Sequence, residues 1–389
     1  MHVRQSIAIA ILALGMLLNA ILVGAQSIRV EYVQSAASSH SEPSSIIFHD
    51  RFETTPTAPS PYFEYNPANG SFIWSANSGM GGGGGMRCLY HSGQVTAGGL
   101  SLVFGGSPFN GGLRRSETFR EIYWRIYVKH QSGWTGNPAK LARATCLATP
   151  NWSQGFIAHV WGGKGDTLCI DPASGITDGH RVSVKYNDFD HLRWLGLRNA
   201  QTPIFNTRES GRWVCVESHV RLNTPGKQDG IFELSIDGKL EAARSDLDWH
   251  GKWNDYGINA VFIENYWNSG SVKEQTRWFD DFVVSTAPIG PITAESSPKI
   301  RRTQADGIKT WQAQVALDAD GRDVVWTSRP LLAKDLELKV DLEKGTFAGS
   351  CAGKSSLPRN HICWLRVRET TSAGLQSEWT AWHAPFRTQ

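Results

Sequence analysis

Between Ile46 and about Pro291 apolar and polar residues alternate in short runs, and almost no stretch keeps the three-to-four spacing of a helix. The runs EIYWRIYVKH (121–130), GFIAHVW (155–161), RVSVKY (181–186), WVCVESHVRL (213–222), IFELSID (231–237), INAVFIENYW (258–267) and RWFDDFVVST (277–286) predict strands, with Gly, Pro, Asn and Asp between them. Strands at this density predict an all-β fold of two packed antiparallel sheets over 46–290. The Pro/Ser-rich APIGPITAESSPK, centred on 291–298, reads as a linker. A second, smaller β unit is expected over 299–389, with runs TWQAQVAL, DVVWTS, LELKVDL and the long CWLRVRETTSAGLQSEWTAWHAPFRT.

The parity of two runs defines faces. Val214, Val216, Ser218, Val220 and Leu222 form one side of their strand, and Trp213, Cys215, Glu217, His219 and Arg221 the other. Ile122, Trp124, Ile126 and Val128 are the apolar side of the strand at 121–130, while Tyr123, Arg125, Tyr127 and Lys129 share its opposite side. The apolar sets are expected between the sheets. A solvated face is ordinarily Thr, Ser, Lys and Glu; Tyr-Arg-Tyr-Lys instead offers stacking surfaces, cations and phenols. His159 and Trp161 add to this chemistry from a third strand, and Tyr266 from a fourth. The competing readings are structural: a cross-strand ion ladder for Glu217, His219 and Arg221, a satisfied core histidine for His159, and strand-end packing for Tyr266.

Composition narrows the class. The chain has 389 residues, 16 Trp and a formal net charge of +3, too small and too dispersed for a nucleic-acid partner. Residues 1–25 have a basic start, an apolar stretch and small residues before Gln26, which predicts a signal peptide and a secreted or extracellular protein, with periplasm or cell surface as alternatives. Residues 26–45 read as a Ser-rich flexible lead-in, and no later segment is long and apolar enough to span a membrane. Six cysteines in an exported chain permit disulfides, and Cys351 with Cys363 is the expected local bridge. The pairing of Cys88, Cys146, Cys169 and Cys215 stays open.

Several stretches carry a resemblance. FREIYWRIYVKHQSGW, the Lys-Leu pair at 140–141, GRWVCVESHVRLNTPGKQDGIFELSIDGKL and RWFDDFVVSTAPIGP resemble concanavalin A-like jelly-roll proteins, and among them the alginate- and glucuronan-lyase-like polysaccharide lyases. The likeness covers roughly 46–290. It implies a jelly roll presenting a concave groove to an extended acidic polysaccharide, with a His/Tyr or Lys/Tyr site for β-elimination. At 140–145 the chain has KLARAT where active relatives carry Lys-Leu-Pro-Gly. The last segment resembles the closing strands of a fibronectin type III domain, so the second unit is expected to be a small Ig/fibronectin-like sandwich.

Elimination requires a cation on the uronate carboxylate, a base for the adjacent proton and an acid for the leaving oxygen. The catalytic candidates are His219, Arg125, Tyr127, His159 and Arg221; the substrate-binding candidates are Tyr123, Lys129, Glu217, Trp161 and Tyr266. A non-catalytic carbohydrate-binding or adhesion protein is the alternative, and a monomer is expected. No cofactor follows from the residues. Calcium competes with plain Asx-rich turns at Asp171, Asp178, Asn187, Asp188 and Asp190, which match no EF-hand loop. Asn69 and Asn151 fit glycosylation acceptors in a eukaryotic secretory host, and nucleophile elbows, metalloprotease helices and dinucleotide fingerprints are absent from the sequence.

Overall fold

The structure, a computed structural model, describes residues 28–30, 44–80, 83–207, 210–302, 306–380 and 382–389. The expected signal peptide and most of the lead-in lie outside the described residues. Strands and turns dominate, and no α-helix occurs among the described residues. Two compact units form: Ser39–Gly290, and Pro291–Gln389 with the short strand Ile28–Val30.

The large unit is a jelly-roll sandwich of two eight-stranded antiparallel sheets. The first sheet runs Lys239–Leu247, Gly230–Ile236, Trp213–Arg221, Glu121–His130, Gln275–Ser285, Gly85–Tyr90, Phe72–Ser75, with Ile46–Asp50 also on Gln275–Ser285. The second runs Arg193–Trp194, Thr167–Ser174, Gln154–Gly162, Lys140–Leu147, Ala260–Tyr266, Thr96–Val103, Glu64–Asn66, with Arg198–Pro203 also on Thr167–Ser174. Val216 pairs with Ile126 and Val220 with Ile122, and these residues, with Val214 and Trp124, are buried in one core between the sheets. The predicted parity holds because a one-residue slip would turn every one of these apolar side chains outward.

One polar side chain crosses this core. Arg277, on Gln275–Ser285 of the first sheet, is fully buried and reaches the backbone of the second. Its Nη2 donates to the carbonyls of Glu264 (3.0 Å) and Lys140 (3.3 Å), to Asn265 Oδ1 (2.5 Å) and to the Tyr90 hydroxyl (3.1 Å). No carboxylate among the described residues pairs with it, so carbonyl, amide and hydroxyl oxygens compensate a desolvated cation.

The small unit packs a seven-stranded and a three-stranded sheet around Trp311, Val315, Trp326, Leu338, Leu365 and Phe386. Ile28–Val30, inside the expected lead-in, pairs with Lys299–Arg302, the edge that its Ile-Arg-Val alternation suits. The expected Cys351–Cys363 bridge is not formed. Both are free thiols buried in this core, where they pack as small apolar groups. Burial, with Cys351 nearby, pushes the Cys363 thiol up to about 12.

Replacing Arg277 by Met keeps the apolar stem and leaves four oxygens short of a donor. Urea unfolding of Arg277→Met is expected to show a loss of about 1–3 kcal/mol. A variant as stable as the parent would show that these bonds are dispensable.

Candidate functional site

The sequence-predicted residues fall on two different outer faces. Arg125, Tyr127, Tyr123, Lys129, Glu217, His219 and Arg221 lie on the first sheet; His159, Trp161 and Tyr266 lie on the second. Sheets in a sandwich stack about 10 Å apart, so outward-pointing side chains of the two sets cannot meet on one substrate.

On the first sheet most of the polar side chains are engaged by their neighbours, Arg125 Nε being without an acceptor among the described residues. His219 has Nδ1 2.7 Å from Glu233 and Nε2 2.8 Å from Glu121. Both ring nitrogens are thus occupied by carboxylate neighbours. Its ring stacks on Tyr123 at 4.2 Å, and burial with Glu121 and Glu233 pushes that phenol up to about 12. Arg125 pairs with Asp281 at 2.8 Å and donates to the Gly290 carbonyl, while Glu217 accepts from the N–H groups of Ile289 and Gly290. The returning segment 285–290 thus buries Arg125, with Tyr127 buried beside it. Lys129 lies over the Trp213 and Trp278 rings, and exposed Arg221 donates to the Asp229 carbonyl. The ion ladder is the reading that the contacts of His219, Arg125 and Glu217 on this face support.

The second sheet carries a different row. In register across six strands, its outer face reads Asp171, His159, Arg143, Phe262, Ser101, Glu64. A bulge between Lys140 and Ala142 sends Leu141 and Ala142 both to the core and aims Lys140 outward beside Trp161. Lys140 Nζ lies 3.5 Å and Arg143 Nη2 3.2 Å from Glu264 Oε1. Lys140 also sits over the Tyr266 ring at 5.1 Å. Arg143 is covered: Asn187 Oδ1 accepts from its Nη1, the Tyr186 hydroxyl from its Nη2, and its Nε has no acceptor among the described residues.

His159 is the reactive group of this row. Its Nδ1 donates to the Asp171 carbonyl at 3.1 Å, which leaves the lone pair on Nε2. Nε2 is buried and has no partner among the described residues. Burial, reinforced by the Arg143 charge, holds the ring well below its ordinary range, so it stays neutral. Trp161 stacks on one side at 4.1 Å and Trp194 lies 5.7 Å away. Burial also lowers Lys140, raises Tyr186 to about 12 and raises Asp171 to about 6.

Two cations, a neutral imidazole and two phenols with indole walls can bind an anionic sugar and move a proton on it. Sequence reasoning placed His159, Trp161 and Tyr266 as candidates, weighed Asp171 only for calcium, and missed Arg143, Glu264, Tyr186 and Trp194. The signal in KLARAT was a long cation on a strand otherwise built from small residues. No group of three or more His, Cys, Asp or Glu among the described residues is placed to hold a metal ion. Asp188 and Asn187 serve instead as turn and side-chain acceptors for Val184, His191 and Arg143.

No protein-family model and no curated protein sequence matches the chain. Solved structures similar to it include an endo-beta-1,4-glucuronan lyase of the fungus Trichoderma reesei, with TM-score 0.42 and 12% identity over 62% of this chain and 96% of that one. An alginate lyase of Aplysia kurodai gives TM-score 0.42 and 13% identity over 62% and 99%. One from Chlorella virus gives 0.39 and 15% over 58% and 100%. At these values no residue role or activity carries over to this chain.

The Asp171 carboxyl binds its proton more tightly in the fold, at about 6, than at its ordinary 3.8. Its cost is therefore absent below the ordinary value, grows as pH rises between the two, and is complete above the folded value. Asp171→Asn is expected to raise the melting temperature at pH 7.5 and to leave it unchanged at pH 3. A stabilisation of equal size at both pH values would contradict a half-buried, titrating carboxyl.

Proposed function

We propose that the outer face of the second sheet binds an acidic, uronate-containing polysaccharide and cleaves it by β-elimination. The observation that carries this reading is the unpaired, buried Nε2 of a neutral His159, in one row with Arg143 and one row from Lys140. The two cations neutralise the uronate carboxylate, which acidifies the proton on the adjacent carbon. His159 Nε2 takes that proton, the bond from the neighbouring carbon to the glycosidic oxygen breaks, and a carbon–carbon double bond forms. Tyr266 gives the leaving oxygen its proton. Trp161 and Trp194 supply apolar ring faces for a flanking sugar, Trp194 being 42% exposed. The leader at 1–25 would export the chain, and the small unit would serve as a fibronectin type III-like spacer.

A second reading, a carbohydrate-binding protein without catalysis, is favoured by one observation. Arg143 is 0% and His159 1% exposed beneath Tyr186, Asn187 and the indoles. A substrate would reach both groups only after these side chains move.

Elimination creates an unsaturated uronate that absorbs in the near ultraviolet. The protein is expected to generate this absorbance from alginate or polyglucuronate. His159→Ala should lose about 100-fold or more, the ordinary weight of a general base, and His219→Ala should match the parent. Binding of these polymers with no absorbing product leaves the binding protein.

A further inference from the structure

We infer that the open face of the small unit's seven-stranded sheet is a second binding site, taking the carboxylates of a linear uronate polysaccharide. It shares the polymer class of the reading above but requires no cleavage. Across this face, pairing in register brings together Thr346, Thr327, Gln314 and Arg366, with Gln312 and Arg368 in the next outward row. The side chains are pre-ordered in a chain of hydrogen bonds. Gln314 Nε2 donates to Thr327 Oγ1 at 3.0 Å, Gln314 Oε1 accepts from Arg366 Nε at 2.7 Å, and Arg368 donates twice to Gln312 Oε1, at 3.0 and 2.8 Å.

Two tryptophans flank the guanidinium groups. Arg366 lies 5.0 Å from the Trp379 ring and 4.4 Å from that of Trp382, and Arg368 4.6 Å from Trp379. Ring faces hold the planar groups without consuming their N–H edges. Both Nη atoms of Arg366 and Nη1 of Arg368 have no acceptor among the described residues, and neither arginine pairs with a carboxylate there. Exposed Glu378, the acid of the neighbouring segment, pairs with neither. Two guanidinium groups stand two residues apart on one strand, about 6.6 Å, and burial with the Arg368 charge depresses Arg366.

Holding Ser377–Thr380 against the sheet does not explain the ladder. Four other bonds already do so: Ser377 N–H to the Glu369 carbonyl, Thr380 N–H to the Val367 carbonyl, Glu369 N–H to Ser377 Oγ, and Val367 N–H to Thr380 Oγ1. What the arrangement leaves is a pair of planar donor edges between indoles, with no acid of its own. A carboxylate matches such an edge with two parallel hydrogen bonds, and the indoles offer apolar surface to the sugar ring that carries it.

The test is affinity electrophoresis of the full chain in gels containing alginate, carboxyl-reduced alginate, dextran or dextran sulfate. A Lys140→Ala/His159→Ala chain removes the cleavage site and should still be retarded by alginate. On that background Arg366→Gln/Arg368→Gln should bind about tenfold more weakly, as expected for losing charge-assisted bonds. Arg366→Lys/Arg368→Lys should recover part of the retardation, which a collapsed sheet would not. Three results would overturn the proposal: no alginate retardation of the Lys140→Ala/His159→Ala chain, parent-like binding by the glutamine variant, or retardation by dextran, dextran sulfate or reduced alginate equal to that by alginate. Ultraviolet product formation by the parent is scored separately, so failure here and failure of the lyase reading are distinguishable.

Discussion

A buried cation without a carboxylate is the constraint on which the large unit turns. Arg277 must find acceptors inside the sandwich, because an uncompensated guanidinium in an apolar core is far costlier than any one packing contact returns. It finds them on the strands carrying Lys140 and Glu264. The backbone beneath the candidate site is therefore tied to the opposite sheet, and Lys140, Arg143 and Glu264 are aimed from a fixed floor. The same charge, behind burial, keeps His130 neutral in the core.

The two outer faces show how little residue type says about availability. Each has a histidine, arginines, tyrosines and carboxylates. On the first sheet both nitrogens of the histidine are met by carboxylates, and a chain segment closes over Arg125, whose Nε alone has no acceptor among the described residues. On the second, one imidazole nitrogen and one guanidinium nitrogen stay unmet although water is excluded from both. Unsatisfied buried polar atoms are costly and occur elsewhere in the chain too; what distinguishes this row is that a neutral imidazole lone pair and a guanidinium nitrogen stand side by side on paired strands.

Alternation carried most of the fold into the sequence. Ile122, Trp124, Val214 and Val216 could be placed in the core because strand parity is a rigid rule. The site was only half legible. His159, Trp161 and Tyr266 stood out by type, but Lys140 required a bulge that breaks the parity rule. Arg143 and Glu264 become partners only when strands distant in the chain lie side by side. Glu217 was misjudged for the opposite reason: its acceptors are met by Ile289 and Gly290, more than seventy residues away, and alternation is blind to that closure. The Cys351–Cys363 spacing suggested a bridge, yet both sulfurs are accounted for by packing alone.

The buried thiols have a consequence for handling the molecule. All six cysteines are buried and unbridged, and burial raises Cys88, Cys169 and Cys363 to about 12. Only a thiolate attacks a disulfide or an oxidant, so such groups exchange slowly while the fold is intact. Reductant during purification would therefore guard only the unfolded fraction, in which the thiols are accessible.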